Sequence, residues 1–221
     1  MIEHIFPIPF YKTNVPCPKK EWDGMMEVCE KFYNRNLDEI NSCGNLTGDQ
    51  DIPEFFLLHT SKKFYWLNYH MGQAVRDYLS QITVLDDDGN DPDYSVFFQK
   101  SWPNVTRLQK GGNPDHLHKG SHLSGVYYLR TAGTGGNITL INSNEMDMLP
   151  LNLKEHLGIY EFYPKDGDLI VFPSSIMHRV VDFNGPEFRA SIVFDIFITS
   201  TETVDERYEN VVTSPQYWVR V

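Results

Sequence analysis

From Tyr94 onward the chain consists of short β-branched and aromatic runs separated by Gly, Pro and Asn, and this texture narrows the fold more than any other feature. Candidate strands occupy 94–99, 105–109, 123–130, 137–141, 159–163, 169–172, 178–183 and 188–198. Runs this short, with no helical period between them, call for an antiparallel sandwich or barrel. A parallel sheet is excluded, because each crossover would need a dozen residues or a helix.

Ahead of this half, Trp22, Met25, Met26, Cys29, Phe32 and Tyr33 recur at helical spacing after Pro18. Phe64, Leu67, Met71, Val75, Tyr78 and Ile82 do the same behind Ser61, a natural capping residue. Two amphipathic helices are expected, with 36–60, rich in Asn, Gly and Asp, as an irregular connection. His70 reads as a packed or half-exposed helix histidine. The acidic run 86–91 does not place its glycine at the sixth position of a calcium loop, has no glutamate to close one at the twelfth, and reads as a solvated turn. The expected layout is one domain: 1–93 as an extended segment and two helices on the barrel, 94–200 as the catalytic core, and 201–221 as a C-terminal extension.

Composition limits the partners. A chain of 221 residues, 41% hydrophobic, can bury one good core. A net charge of -11 argues against nucleic acid or an anionic membrane, both of which demand clustered cations. Residues 100–130 are an exception, with Lys100, Arg107, Lys110, Lys119 and Arg130 against Asp115 alone, a balance suited to a small anionic ligand. Cys17, Cys29 and Cys43 have no metal-like spacing and read as reduced thiols. The N-terminus has no signal-peptide pattern, and no apolar run approaches the ~20 residues that span a bilayer. A soluble protein is expected, in the cytoplasm of a bacterial or phage-infected cell; a homodimer is left open.

Chemistry concentrates in three places. Asp166 and Gly167 open the apolar run 169–172, Pro173 stops it, and His178 begins a second short strand, so a hairpin is expected to present an imidazole at its rim. His116 and His118 stand two residues apart, on one face if the backbone is extended. Arg189-Ala190-Ser191 heads a last apolar run, where a guanidinium can grip a carboxylate at two points. Three imidazoles suit Fe, Zn, Cu or Ni and leave coordination positions open. They can meet only if their strands are neighbours in a curled sheet.

Those residues resemble the 2-oxoglutarate- and Fe(II)-dependent oxygenases, in particular a small prolyl-hydroxylase-like group of bacteria and phages. The resemblance is carried by 102–105, by 113–118 with 123–129, by 167–180 and by 189–192, and the opening 5–10 is similar to that group's start. It implies a double-stranded β-helix, that is, a cupin-like jelly roll, mainly β with N-terminal helices. It further implies Fe(II) on His116, His118 and His178, and 2-oxoglutarate held through Arg189 and Ser191 with help from Tyr128. Dioxygen would be the other co-substrate, and an unidentified substrate, such as a protein side chain, would be hydroxylated as 2-oxoglutarate is decarboxylated to succinate. In the superfamily the slot of His118 normally carries a carboxylate. Two other frames therefore stay open: Asp115 reaching the metal across a bulge, or His118 as first ligand with an empty slot at Gly120. His122 is a spare imidazole assigned no ligand role. A cupin-like binding protein or non-oxidative metalloenzyme, and a structural jelly roll with a decayed metal site, are the competing classes.

Overall fold

The computed structural model describes residues 7–39, 45–48, 51–82, 94–107, 112–131, 133–142, 158–200 and 215–221. The acidic turn 86–91, Lys110 and Cys43 lie outside them. The helices whose bounds lie within the described residues are α1 (Lys19–Arg35), α2 (Pro53–Phe56) and α3 (Tyr65–Ile82), together with short 3₁₀ turns. The early strands are β1 (Tyr11–Asn14), β2 (Asn45–Thr47), β3 (Tyr94–Thr106), β4 (Asn113–His116), β5 (Leu123–Arg130), β6 (Thr134–Gly135) and β7 (Ile138–Ile141). They are followed by β8 (Ile159–Phe162), β9 (Asp168–Pro173), β10 (Met177–Val180), β11 (Phe183–Asn184), β12 (Arg189–Ser200) and β13 (Val219–Arg220).

Among the described residues every pairing is antiparallel except for one isolated bridge. The large sheet runs β1-β9-β5-β12-β3-β13, with β2 also on β3; the small sheet runs β4-β10-β7-β8. Strands of the large sheet are apolar on both faces, because each face covers a different core. Tyr127, Leu129, Leu169, Val171, Ile192 and Phe194 pack outward beneath Met25, Cys29, Phe32, Leu67, Met71 and Val75 of α1 and α3. Val126, Tyr128, Ile170, Phe172 and Val193 point the other way, against Ile138 and Leu140 of the small sheet. The helices thus shield one face and leave the space between the sheets for the site.

Four expectations change. The runs 94–99 and 105–109 form one strand: β3 continues through Pro103, which lies between the segments that β13 and β2 pair with, a place where proline is tolerated. The connection 36–60 is not wholly irregular, since it supplies β2 and α2. Ser61 makes no side-chain cap; a 3₁₀ turn follows it and α3 begins at Tyr65. Finally, β9 and β10 are not a hairpin. β9 pairs with β1 and β5 and β10 with β4 and β7, so the turn between them carries the chain from one sheet to the other.

Candidate metal centre

The crossover after β9 sets His178 in the small sheet directly opposite His116, its register partner on β4. Their rings are 4.2 Å apart. β4 ends at His116, so His118 is not held by strand alternation as the sequence implied; its backbone N–H instead donates to Ser174 O at 3.0 Å, in the same crossover. The result brings the three imidazoles together, with one ligand atom from each lying within 4.8 Å of the others. His122 lies elsewhere, its Nδ1 accepting from the Ile198 N–H. Asp115 is exposed, with Arg179 at 3.7 Å, and Gly120 occupies a turn at φ +79°.

Hydrogen bonds choose which ring nitrogen is free. His116 Nδ1 lies 2.8 Å from Pro114 O and His178 Nδ1 lies 2.9 Å from Ile176 O, and a carbonyl can only accept. His118 Nδ1 lies 2.7 Å from the Asp195 carboxylate. All three rings therefore carry the proton on Nδ1 and keep the Nε2 lone pair for a ligand, the arrangement expected around metal-bound imidazole. Burial pushes the His178 imidazole down to about 3, aided by the neighbouring His116 and His118, and burial likewise lowers His116. Both are neutral and able to ligate at ordinary pH.

Behind His118 lies a saturated polar cluster. Asp195 Oδ1 accepts from His118 and from Ser124 Oγ (2.6 Å), and Oδ2 accepts from Lys100 Nζ (2.9 Å) and shares with Gln99 the hydroxyl proton of Ser121, whose Oγ lies 3.2 Å away. Burial alone would raise the Asp195 carboxyl; His118, Lys100 and Ser124 together hold it well below the usual carboxylate range. A bulge at Gln99, where β3 slips by one residue against β12, accompanies this cluster, and Gln99 joins it through Ser121 at 2.8 Å.

The same cavity, of about 530 Å³, continues along β12 to Tyr128, Ser191 and Arg189. Ser191 is in register with Tyr128 of β5 and Asn104 of β3. Arg189 is 2% exposed and its guanidinium lies 5.2 Å from the Tyr128 ring. Among the described residues, Arg189 Nε and Tyr128 Oη have no hydrogen-bond partner. Burial raises the Tyr128 phenol, so it stays protonated and able to donate. A buried cation and a buried hydroxyl without partners are costly unless a ligand completes them, and a carboxylate would. Gly136 makes room for the cation: at φ +66° its Cβ would stand 2.8 Å from Arg189 Nε.

The sequence pattern assigns no role to Asp195, Ser124 or Gly136, and places Lys100 only in a positive stretch. Asp195 did leave a signal, as a single carboxylate inside the apolar run 192–198 that could be buried only with partners. The positive stretch 100–130 is not a free patch, because Lys100 pairs with Asp195 and Arg130 with Glu187.

Residues 100–195 match a family model described as "Putative 2OG-Fe(II) oxygenase". No curated protein matches the chain. Among solved structures, AviO1 from Streptomyces viridochromogenes Tue57 is similar at 12% identity, covering 86% of this chain and 90% of that one with a TM-score of 0.55. The non-heme alpha ketoglutarate dependent epimerase SnoN from nogalamycin biosynthesis matches at 13% identity over 87% of this chain and 78% of that one, with a TM-score of 0.52. An oxidoreductase of the 2OG-Fe(II) oxygenase family from Burkholderia pseudomallei matches at 17% identity with a TM-score of 0.42; the match covers 57% of this chain and about half, 51%, of that one. At such identities the structural likeness is one of fold, the double-stranded β-helix. The family model spans residues 100–195, less than half of the chain, and supports the 2OG-Fe(II) oxygenase superfamily for that core, while the solved structures share its jelly-roll fold.

Proposed function

We propose that the protein is a 2-oxoglutarate- and Fe(II)-dependent oxygenase in which His116, His118 and His178 hold the iron and Arg189, Ser191 and Tyr128 hold 2-oxoglutarate. One observation carries the reading: three imidazoles with free Nε2 share a cavity with a buried guanidinium and a phenol that lack partners. Iron, when bound, supplies the centre at which dioxygen and 2-oxoglutarate react to give succinate, carbon dioxide and a hydroxylated substrate. The protein's own share is to bind, orient and exclude water. Arg189 neutralises and aims the distal carboxylate of the co-substrate, Tyr128 donates to it, and the apolar walls Val126, Ile138 and Val193 keep that end dry.

A binding protein that merely stored a metal would account for the triad but would leave the cost of burying Arg189 unanswered. The finer reading, a protein side chain as the hydroxylated group, rests on the resemblance to prolyl-hydroxylase-like proteins. A cytoplasmic setting fits the free thiols Cys17 and Cys29, and no helix among the described residues is long and apolar enough to cross a membrane.

The test is anaerobic addition of Fe(II) and 2-oxoglutarate, followed by visible spectroscopy and thermal melting. A weak charge-transfer band that requires both additions, with a rise in melting temperature, is expected. Iron binding with no response of either kind to 2-oxoglutarate defeats the co-substrate assignment.

A further inference from the structure

Three neutral imidazoles add no negative charge to a divalent ion, and the nearby Arg189 adds a further positive one. Buried behind His118, the Asp195 carboxylate is hydrogen-bonded to a ligand ring and stands a single imidazole away from the metal position. Its place is specific. Oδ1 takes the His118 Nδ1 proton while Oδ2 faces the Lys100 ammonium, so a ligand and a cation share one buried carboxylate. A buried Lys–Asp pair is by itself weak stabilisation, often no better than an apolar pair of equal volume. Stability alone therefore does not account for a cluster built on a ligand's second nitrogen.

We infer that Asp195 is a positioning residue that sets the aim and the charge of the metal centre through His118, and that Lys100 moderates it. The carboxylate fixes the His118 ring with Nε2 turned inward and makes the imidazole a more basic donor. Lys100, bonded to the opposite oxygen, draws part of that charge away. Ser124 and Ser121 hold the carboxylate still: Ser124 is tied to Ser174 at 2.8 Å and Ser121 to Gln99. The inference rests on the metal reading above and extends it to two residues that do not touch the ion.

The two residues predict opposite effects, which a purely structural cluster cannot produce. Fe(II) and Co(II) affinity is measured anaerobically by competition with a chromophoric chelator, alongside the Co(II) absorption envelope and the melting temperature of the metal-free protein. Asp195→Asn keeps shape and an acceptor but loses the charge; roughly 10- to 100-fold weaker metal binding is expected. Lys100→Met keeps Asp195 and removes the competing cation; a several-fold tightening is expected even though the metal-free protein melts lower. The Co(II) bands are expected to move in opposite senses. Unchanged affinity in Asp195→Asn, or unchanged or weaker binding in Lys100→Met, overturns the inference while leaving the metal reading intact. A parent protein that binds neither ion overturns both. If Asp195→Asn does not fold, Lys100→Met decides alone by the same criterion.

Discussion

β12 carries Arg189 at one end of the cavity and Asp195 behind His118 at the other, on the same face of one strand and about 20 Å apart at the usual rise per residue. The two buried charges are treated in opposite ways. Asp195 has three donors of its own, His118, Ser124 and Lys100, and shares the Ser121 hydroxyl with Gln99, every one from the protein itself. Arg189 is as deeply buried, yet its Nε and the adjacent Tyr128 hydroxyl have no partner among the described residues. The contrast separates a charge that the fold has completed from one that the described residues leave open. Exposure alone would not have told them apart; the count of partners does.

The largest expected difference is in stability. Asp195→Ala leaves the Lys100 ammonium buried and unpaired and frees His118, a loss of about 3 to 5 kcal/mol for the metal-free protein. Arg189→Met removes an uncompensated cation and is expected to leave stability unchanged or raise it. Chemical denaturation of both variants measures the contrast; a matching loss in Arg189→Met would mean that the two ends are alike.

Affinity is expected to reverse the order. Arg189→Ala should weaken 2-oxoglutarate by about 2 to 5 kcal/mol, on the order of 30-fold to several thousandfold, with iron affinity nearly unaltered. Arg189→Lys should recover a part, because a point charge cannot reproduce the two-point grip. Equal 2-oxoglutarate affinity in parent and alanine variant, read by calorimetry on the iron-loaded protein, would refute the clamp.

A third difference lies in pH. His178 is pushed from the ordinary 6.5 to about 3 and His116 is lowered too, both chiefly by burial. The unfolded chain therefore binds protons that the folded chain refuses. The contribution of these residues is fully present above pH 6.5 and is lost as pH falls towards their folded values. For His178 the loss by pH 5 is up to roughly 2 kcal/mol. Asp195, held low, is lost in the same direction but only below the ordinary carboxylate range. Bound metal excludes protons from all three imidazoles of the folded protein, so the acid sensitivity should be larger in the metal-loaded protein than in the metal-free one. A flat stability profile from pH 7 to 5 would contradict the buried, neutral imidazoles.

Much of this was legible before the structure, and the division follows physical range. Alternating apolar runs encode strands, because side-chain direction is local, and Arg-x-Ser or His-x-His can be read for the same reason. Pairing is not local. Nothing in residues 168–180 says that the turn after Phe172 changes sheets, since that depends on β1 arriving from residue 11 to pair with β9. Asp195 illustrates the same limit: its residue type announced a need for partners, but those partners come from positions 100, 118, 121 and 124, on three other segments. Arg189 could be singled out from its own residue type and place at the head of an apolar run, because the partner proposed for it is not part of the chain.

The smallest effect sharpens the Arg189 end. Gly136 sits at φ +66°, and a Cβ there would come within 2.8 Å of Arg189 Nε and 2.9 Å of its Cδ. Gly136→Ala therefore combines a backbone penalty with a displaced guanidinium. Gly167 supplies a matched control. It has φ +85° in the turn before β9, and its added Cβ would meet Val15 O at 3.1 Å rather than any group of the cavity. Both substitutions are expected to lower the melting temperature to a similar degree, by about 1 kcal/mol of strain in each case. Only Gly136→Ala is expected to weaken 2-oxoglutarate, by less than Arg189→Ala does, because the cation is moved and not removed. If the two alanine variants bind 2-oxoglutarate equally well, the close approach of Gly136 serves the turn alone, and the position of the guanidinium is set entirely by Tyr128 and the strand that carries it.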